Sequence, residues 1–86
     1  MTASTPLSRW RARRNFRDEV MVLGLLECGY EGVTEMWRAV GGNVSNIYAA
    51  LARLEAKLLV NGWWEMDPGD RPARRFYYRT ATEMHQ

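Results

Sequence analysis

The fold of this chain is decided by one segment, Asn43-Val-Ser-Asn-Ile-Tyr-Ala-Ala-Leu-Ala-Arg-Leu-Glu-Ala-Lys-Leu-Leu-Val60. Its apolar residues recur at spacings of four, three and four, which is the period of one face of a helix. The residues with this spacing are Ile47, Leu51, Leu54 and Leu58. We therefore predict an amphipathic helix whose apolar stripe faces the core.

A second face of this helix is left free, and it carries mostly short polar or small side chains. The face comprises Ser45, Asn46, Tyr48, Ala49, Ala52 and Arg53. Small side chains let a helix approach the floor of a DNA groove, where Asn pairs with adenine and Arg with guanine. We expect Asn46 and Arg53 to read bases, and Tyr48 with Ser45 to fix the register on the phosphates. Asn43 and Ala49 should also contact DNA. The alternative is a solvated face on a purely structural helix.

Two glycines precede this helix and predict a tight change of direction. Gly41-Gly42 permits backbone conformations that other residues rarely adopt, and Asn43 or Ser45 is available to cap the helix that follows. Upstream, Thr34 is a candidate N-cap for a second helix that ends at Val40. A helix, a glycine turn and a further helix form the outline of a helix-turn-helix.

The segment after Val60 predicts a β-hairpin with a basic loop. Residues 61–67 and 75–80 are rich in β-favouring side chains, and prolines and a glycine lie between them. A loop of this length should protrude as a wing that follows the phosphates or enters the minor groove. Its basic residues that we expect to contact DNA are Arg71, Arg74 and Arg75.

Alternation along the two strands predicts which aromatic side chains are buried. Successive side chains of a strand point to opposite faces. One of Trp63 and Trp64 should therefore lie in the core and the other be more exposed, and Tyr77 and Tyr78 should divide in the same way.

The N-terminal part of the chain is predicted to be a basic extension of one small domain. Residues 1–17 should form a basic arm or a helical extension, residues 18–82 the domain, and residues 83–86 a tail. Residues 18–27 read as a central helix whose apolar run is too continuous for one face, so we expect cover on more than one side. The arginines of the extension that should add affinity for DNA are Arg9, Arg11, Arg13 and Arg14. The predicted fold class is α+β, mainly α, with a three-helix core and a two-stranded wing.

Charge is divided into zones, although the net charge is only +2. Residues 1–17 carry five arginines and no acid, residues 18–37 carry five acids and no base, and the rest carries seven bases and five acids. Basic zones that bracket an acidic middle are typical of a protein that binds phosphates. The alternative is that the arginines only solubilise the surface.

Length and composition exclude several classes of protein. A chain of 86 residues allows one domain with a modest core, and a hydrophobic content of 47% argues against disorder. No apolar run approaches the roughly 20 residues of a membrane span. The N-terminus lacks the order of a signal peptide, so we expect a cytoplasmic, nucleoid-associated protein.

Catalysis is not expected from this sequence. The single histidine, His85, lies next to the last residue, and no glycine-rich phosphate loop or placed pair of carboxylates is present. The single cysteine, Cys28, has no companion for a disulfide or a metal site and should be at least half-buried. We expect no catalytic residue, no cofactor and no metal.

Two motifs at a fixed separation carry a family resemblance. They are Ile47-Tyr-Ala-Ala-Leu-Ala-Arg-Leu-Glu55 and Arg71-Pro-Ala-Arg-Arg-Phe-Tyr-Tyr-Arg79. The PadR family of winged-helix regulators typically shows Leu-Tyr-x-x-Leu-x-x-Leu-Glu and then Arg-Pro-x-Arg-x-Tyr-Tyr-Arg, so the chain resembles that family from about residue 20 to residue 79. The resemblance implies that Tyr48 lies at the DNA face, that Arg53 lies on or near it, and that the loop over 71–75 contacts the phosphate backbone.

Three departures from the family pattern accompany the resemblance. Leu58 stands where the family usually has Gly, and Gly32-Val33 stands where it has Gly-Tyr. Family members also continue into C-terminal helices that form the dimer and sometimes a ligand pocket, whereas this chain stops at Gln86. We therefore expect no small-molecule effector. We expect either a monomer or a homodimer that uses Trp10, Phe16 and Met21.

These features together favour a sequence-specific regulator of transcription, a repressor, whose partner is double-stranded DNA. The third helix would enter the major groove, and the wing would lie on the backbone or in the minor groove. Two alternatives share the same surface features. One is a small architectural or excisionase-like DNA-binding protein, and the other is a winged helix that binds another protein.

Overall fold

The structure, a computed structural model, describes the backbone of residues 6–80 and the side chains from residue 9 onward. Its elements in chain order are α1 (Pro6–Glu27), α2 (Val33–Val40), α3 (Val44–Ala56), β1 (Val60–Trp64) and β2 (Arg75–Arg79). They form a small α+β fold with a two-stranded antiparallel sheet, an arrangement compatible with a winged helix. The predicted α+β class is confirmed. The predicted tail over 83–86 and His85 lie outside the described residues.

The core lies where the inner faces of the three helices meet the base of the sheet. From α3 it takes Ile47, Leu51 and Leu54, none of which is more than 1% exposed. The predicted stripe is confirmed at these three residues. The core residues contributed by the other elements are Val22, Leu26, Val33, Met36, Val60 and Tyr77.

Leu58 is the exception in the predicted stripe, because α3 ends before it. It has a φ of 64° and is 73% exposed. The Leu59 N–H donates to the Leu54 C=O and the Leu58 N–H to the Glu55 C=O, both at 3.0 Å. This pattern closes a helix with one residue in the left-handed conformation, a position that usually takes glycine. The prediction that Leu58 faces the core is wrong, because the chain has already left the helix.

Replacing Leu58 with glycine is expected to stabilise the fold by about 1 kcal/mol. A left-handed conformation costs an L-residue about 1–2 kcal/mol, and glycine relieves this cost. The greater freedom of glycine in the unfolded chain destabilises the fold, but it cancels only part of that gain. The midpoint of urea unfolding measures the change. Ala56→Gly is the matched control, since Ala56 is an exposed residue at the end of α3 and glycine should destabilise the helix there. A lower midpoint for Leu58→Gly would contradict the prediction.

Two glycines and one cap shape the turn between α2 and α3. Gly41 and Gly42 have φ values of 73° and 78°, which L side chains rarely adopt. The Trp37 indole N–H donates to the Gly42 C=O at 2.9 Å. The Asn43 side chain accepts from the Ser45 N–H at 3.0 Å and caps α3. The predicted glycine turn and the Asn43 cap are confirmed.

The connection between α1 and α2 lies against the second strand. The Tyr77 N–H donates to the Glu31 C=O at 2.9 Å, and Gly32 forms an isolated bridge with Phe76. The N-cap of α2 is Gly32, whose N–H donates to the Glu35 carboxylate at 3.1 Å. The prediction of Thr34 as the cap is wrong, because the helix begins before it and this carboxylate satisfies the backbone two residues earlier.

The hairpin has the predicted form, and its backbone pairing continues one step beyond the strands at the loop end. Its register runs from Val60 opposite Arg79 to Trp64 opposite Arg75. One further backbone bond, from the Glu65 N–H to the Arg74 C=O at 2.8 Å, closes the loop over residues 65–74. We refer to residues 65–74 as the wing loop.

The aromatic side chains of the hairpin follow the predicted division on one strand only. Tyr77 is 6% exposed and Tyr78 46%, as predicted. Trp63 and Trp64 are 42% and 59% exposed, so the prediction of one core tryptophan is wrong. Trp63 stacks on Phe76 of the neighbouring strand instead of entering the core, with ring centroids 4.8 Å apart.

α1 is one continuous helix, and it is covered on one side. No break separates Arg17 from Asp18, so the predicted extension and central helix join. Val22 is fully buried whereas Val20 is 51% exposed, which corrects the expectation of cover on several sides. Cys28, just beyond α1, is exposed rather than half-buried. Within residues 6–80 no helix has the length and apolarity needed to cross a membrane.

Candidate nucleic-acid interface

The outward face of α3 presents small and uncharged groups. Ser45, Tyr48 and Ala49 are exposed, Tyr48 to 53%, and Asn46 is half-buried. Ile47 and Leu51 turn the opposite face into the core, so the orientation of this outward face is fixed by packing. It therefore offers an amide, a hydroxyl and a methyl group on one rigid surface.

The residues at the start of α3 hold each other in place. The Asn43 Oδ1 accepts from the Ser45 N–H at 3.0 Å and from the Ser45 hydroxyl at 2.7 Å. Both residues were predicted to contact DNA. Their first structural role is to cap the helix, although the Ser45 hydroxyl oxygen retains lone pairs that can accept a further hydrogen bond.

Arg53 is held against α1 rather than presented on the outward face. Its Nε donates to the Glu19 carboxylate at 2.6 Å, and its terminal nitrogen donates to the Asn15 C=O at 3.3 Å. Lys57 donates to the other oxygen of Glu19 at 2.6 Å. The predicted position of Arg53 on or near the recognition face is thereby corrected, because its long side chain reaches from the edge of the apolar stripe to α1.

Glu19 is the centre of this cluster, and its charge is stabilised. Its side chain is only 8% exposed, and burial alone would raise the pKa of the carboxyl. The hydrogen bonds from Lys57 and Arg53, with their positive charges, outweigh burial and hold the pKa below its usual value. Glu19 is therefore an ionised link between α1 and the C-terminal turn of α3.

Arg71 is paired within the wing loop. It donates to both carboxylate oxygens of Glu65, at 2.5 and 2.7 Å. This pair of hydrogen bonds lowers the pKa of Glu65. The loop also carries Asp67 and Asp70, so its acids outnumber its bases. Arg74 is the wing-loop arginine whose guanidinium makes no ion pair with the described residues.

Arg75 ties the wing to α3 instead of pointing outward. Its guanidinium donates to Glu55 at 3.1 Å and lies 5.1 Å from the Trp64 ring centroid. It also lies 5.6 Å from the ring of Tyr77. A Cβ added to Gly62 would come within 2.7 Å of it, so the strand has glycine where the guanidinium crosses. Arg75 therefore links the wing to α3, and its contact with DNA stays a prediction.

A groove between α2, α3 and the hairpin brings Arg74 together with a residue that the sequence reasoning missed. Its volume is about 560 Å³, and its lining includes Arg38, Tyr48 and Arg74. Arg38 is exposed near the C-terminal end of α2 and makes no ion pair with the described residues. The sequence feature that could have identified Arg38 is its place on the exposed face of the helix that precedes the glycine turn.

The arginines of the N-terminal extension lie along the first half of α1. Arg9, Arg11 and Arg13 are exposed, and the Arg14 guanidinium lies 5.0 Å from the Trp10 ring centroid. None of them forms an ion pair with a described residue. A helix rises about 1.5 Å per residue, so the position of each of these arginines along α1 determines how far it lies from α3.

The residues predicted for a dimer interface have different surroundings. Trp10 and Phe16 are 55% and 69% exposed. Met21 instead packs partly against the protein's own core. Exposed apolar surface on α1 is therefore concentrated at Trp10, Phe16 and Val20.

Neither a metal site among the described residues nor a matching protein assigns a role to this surface. Among the described residues no three His, Cys, Asp or Glu side chains are grouped so that they could hold a metal ion. Comparison of the chain with family models, curated proteins and solved structures finds no match. The function is therefore argued from the surface formed by α2, α3 and the wing loop.

Proposed function

We propose that this protein is a sequence-specific, double-stranded DNA-binding regulator of transcription with a winged helix-turn-helix fold. In this proposal α2 and α3 are the helix-turn-helix, and the hairpin is the wing. One observation carries it: the uncharged outward face of α3 is bordered by Arg38 and Arg74, which have no ion-pair partner in the described part of the chain. Such a protein acts on the chromosome in the cytoplasm.

The outward face of α3 suits the major groove. A groove about 12 Å wide admits one helix, and small side chains keep the helix close to the base edges. The Asn46 amide can pair bidentately with adenine, and the Ala49 methyl can contact the methyl group of thymine. The Tyr48 hydroxyl can donate to a phosphate oxygen and so fix the register. The Ser45 hydroxyl gives its hydrogen to Asn43, so it can accept a hydrogen bond from a base but cannot donate to a phosphate.

The charges around this face favour a polyanion. Arg38 and Arg74 line the same groove as Tyr48 and can each approach a phosphate. The groove also contains the Glu35 carboxylate, which accepts from the Gly32 N–H. The carboxylates of Glu55 and Glu65 are each paired with an arginine, which reduces their repulsion of phosphate. Asp67 and Asp70 limit the attraction at the wing loop, so Arg74 is its main phosphate contact.

Repression is the mode of regulation that we propose, because it requires no surface other than the one that binds DNA. A protein that occupies its site on a promoter blocks access to that DNA without any further contact. Activation requires an additional surface that recruits another protein. The surface formed by α3, Arg38 and Arg74 is sufficient for the first mechanism.

Selection of bound duplexes from a random library tests the proposal. The selected duplex and a scrambled duplex are then compared by fluorescence anisotropy at two salt concentrations. We expect a preference of about 10³-fold or more for the selected site, with affinity that falls as salt rises. Salt-sensitive binding without preference would replace the proposal with an architectural DNA protein. No binding to any duplex would overturn it and favour a protein partner.

A further inference from the structure

The outward face of α1 carries a regular stripe that the described residues leave largely uncovered. Its members recur at spacings of four, three, four, three and four, the repeat of a coiled-coil seam. They are Arg9, Arg13, Phe16, Val20, Leu23 and Glu27. We refer to these six residues as the α1 seam.

The middle of the α1 seam lies outside the protein's own core. Phe16 is 69% exposed and Val20 51%, whereas Leu23 is partly buried against the core. Val22 and Leu26 of the same helix are buried in the core. α1 therefore has an exposed apolar strip at Phe16 and Val20 beside the face that it buries.

The α1 seam is complementary to itself when it is reversed. Its first members are basic, its middle members are apolar and its last member is acidic. If two copies pair antiparallel about residue 18, Phe16 of one copy meets Val20 of the other. The same pairing brings Arg9 opposite Glu27, and Arg13 opposite Leu23, along which the methylene stem of the arginine can lie. A parallel pair would instead place like charges together at both ends.

We propose that a second copy of this chain docks antiparallel on the α1 seam and forms a homodimer. Apolar contacts in the middle of the seam supply the attraction, and the Arg9–Glu27 pairs at both ends set orientation and register. Glu27 also bonds to Arg79 of its own chain, but its side chain is 63% exposed and can accept from a second arginine.

The flanks of the α1 seam fit this arrangement and limit its strength. Trp10 follows Arg9 on one flank, and in the antiparallel pair it comes near Gly24 of the other copy. A Cβ added to Gly24 would have no atom within 4 Å, so the surface there is open to an indole ring. Arg17 lies on the same flank in both copies near the midpoint, and this like-charge pair weakens self-association.

The inference goes beyond the proposed function and does not depend on it. If both hold, a two-fold axis through α1 gives the dimer two α3 helices, and its site consists of inverted half-sites. Self-association and DNA binding are measured separately. A monomer that binds DNA overturns only the dimer, and a dimer that binds no duplex overturns only the DNA-binding proposal.

Sedimentation of the whole chain over a range of concentrations tests the dimer. A reducing agent keeps the exposed Cys28 from forming disulfides between copies. We expect the unaltered protein to dimerise and Phe16→Asp to raise the dissociation constant at least tenfold. Met66→Asp is the matched control, because Met66 is 81% exposed on the wing loop and should leave the constant unchanged. A wild-type protein that stays monomeric to millimolar concentration, or a Phe16→Asp variant that dimerises normally, would overturn the proposal.

Charge reversal at the ends of the seam tests the orientation. Arg9→Glu and Glu27→Arg should each weaken self-association, because each places like charges opposite one another in the antiparallel pair. The double variant on one chain should regain most of the loss, since the two introduced side chains are of opposite charge and again face each other across the pair. A parallel pair predicts no recovery in the double variant. Equal dissociation constants for all four proteins would also overturn the proposed register.

Discussion

Replacing Glu19 with glutamine is expected to lower the free energy of unfolding by about 2 kcal/mol and the Tm by about 10 °C. The carboxylate accepts hydrogen bonds at 2.6 Å from both Arg53 and Lys57. Glutamine has one acceptor oxygen and no charge, so it leaves one of these cations without a partner. The loss is smaller than for a fully buried pair, because the Arg53 and Lys57 side chains are 30% and 55% exposed.

The neighbouring carboxylate provides a matched control for Glu19. Asp18 precedes it on α1 and forms no ion pair with the described residues. Asp18→Asn removes the same charge from almost the same place and should change the Tm by no more than about 2 °C. Thermal unfolding followed by circular dichroism measures both variants. Equal changes in Tm for the two variants would show that Glu19 acts through the net charge of α1 and not through its hydrogen bonds to α3.

The same link predicts how stability depends on pH. A carboxyl whose pKa is lower in the folded state than in the unfolded state stabilises the fold above the unfolded value and loses this contribution as the pH falls through the folded pKa. The pKa of Glu19 lies below its usual 4.5. The stability difference between the wild-type protein and Glu19→Gln should therefore be full near pH 6 and shrink as the pH falls below 4.5. A difference that persists unchanged at pH 3 would contradict this assignment.

The order of the elements was predictable because it rests on local patterns. The spacing of Ile47, Leu51 and Leu54 indicates a helix whatever surrounds it. Gly41-Gly42 marks the turn because few other residues adopt its backbone conformation. The end of α3 was not predictable from spacing, since Leu58 continues the apolar period into a residue that is no longer helical.

The partners of the arginines could not be predicted, because they depend on contacts between distant segments. Arg53 meets Glu19, Arg75 meets Glu55, and these pairs are 34 and 20 residues apart in the chain. From sequence, an arginine on a free face and an arginine that links two elements look the same. The structure distinguishes the two kinds of arginine. Arg74 and Arg38, which the sequence did not single out, are the exposed arginines that line the groove with Tyr48.

Asn46→Ala is expected to weaken binding to the selected duplex by about 1–3 kcal/mol, or roughly 5- to 150-fold, with little change on scrambled DNA. The reason is that a bidentate contact to one base exists only at the correct site. Asn61→Ala is the matched control, because Asn61 is exposed on β1, outside α3. Fluorescence anisotropy against both duplexes measures the effect.

Arg74→Ala should behave differently, because a phosphate contact is present on every sequence. We expect weaker binding to both duplexes and a fall of about one in the slope of log affinity against log salt. The control removes the neighbouring ion pair without changing net charge: Glu65→Gln combined with Arg71→Gln should leave that slope unchanged. Specificity and phosphate attraction then reside in separate side chains of one surface. If Asn46→Ala and Arg74→Ala lowered affinity equally on both duplexes, α3 would not be reading bases, and the attraction to DNA would be purely electrostatic.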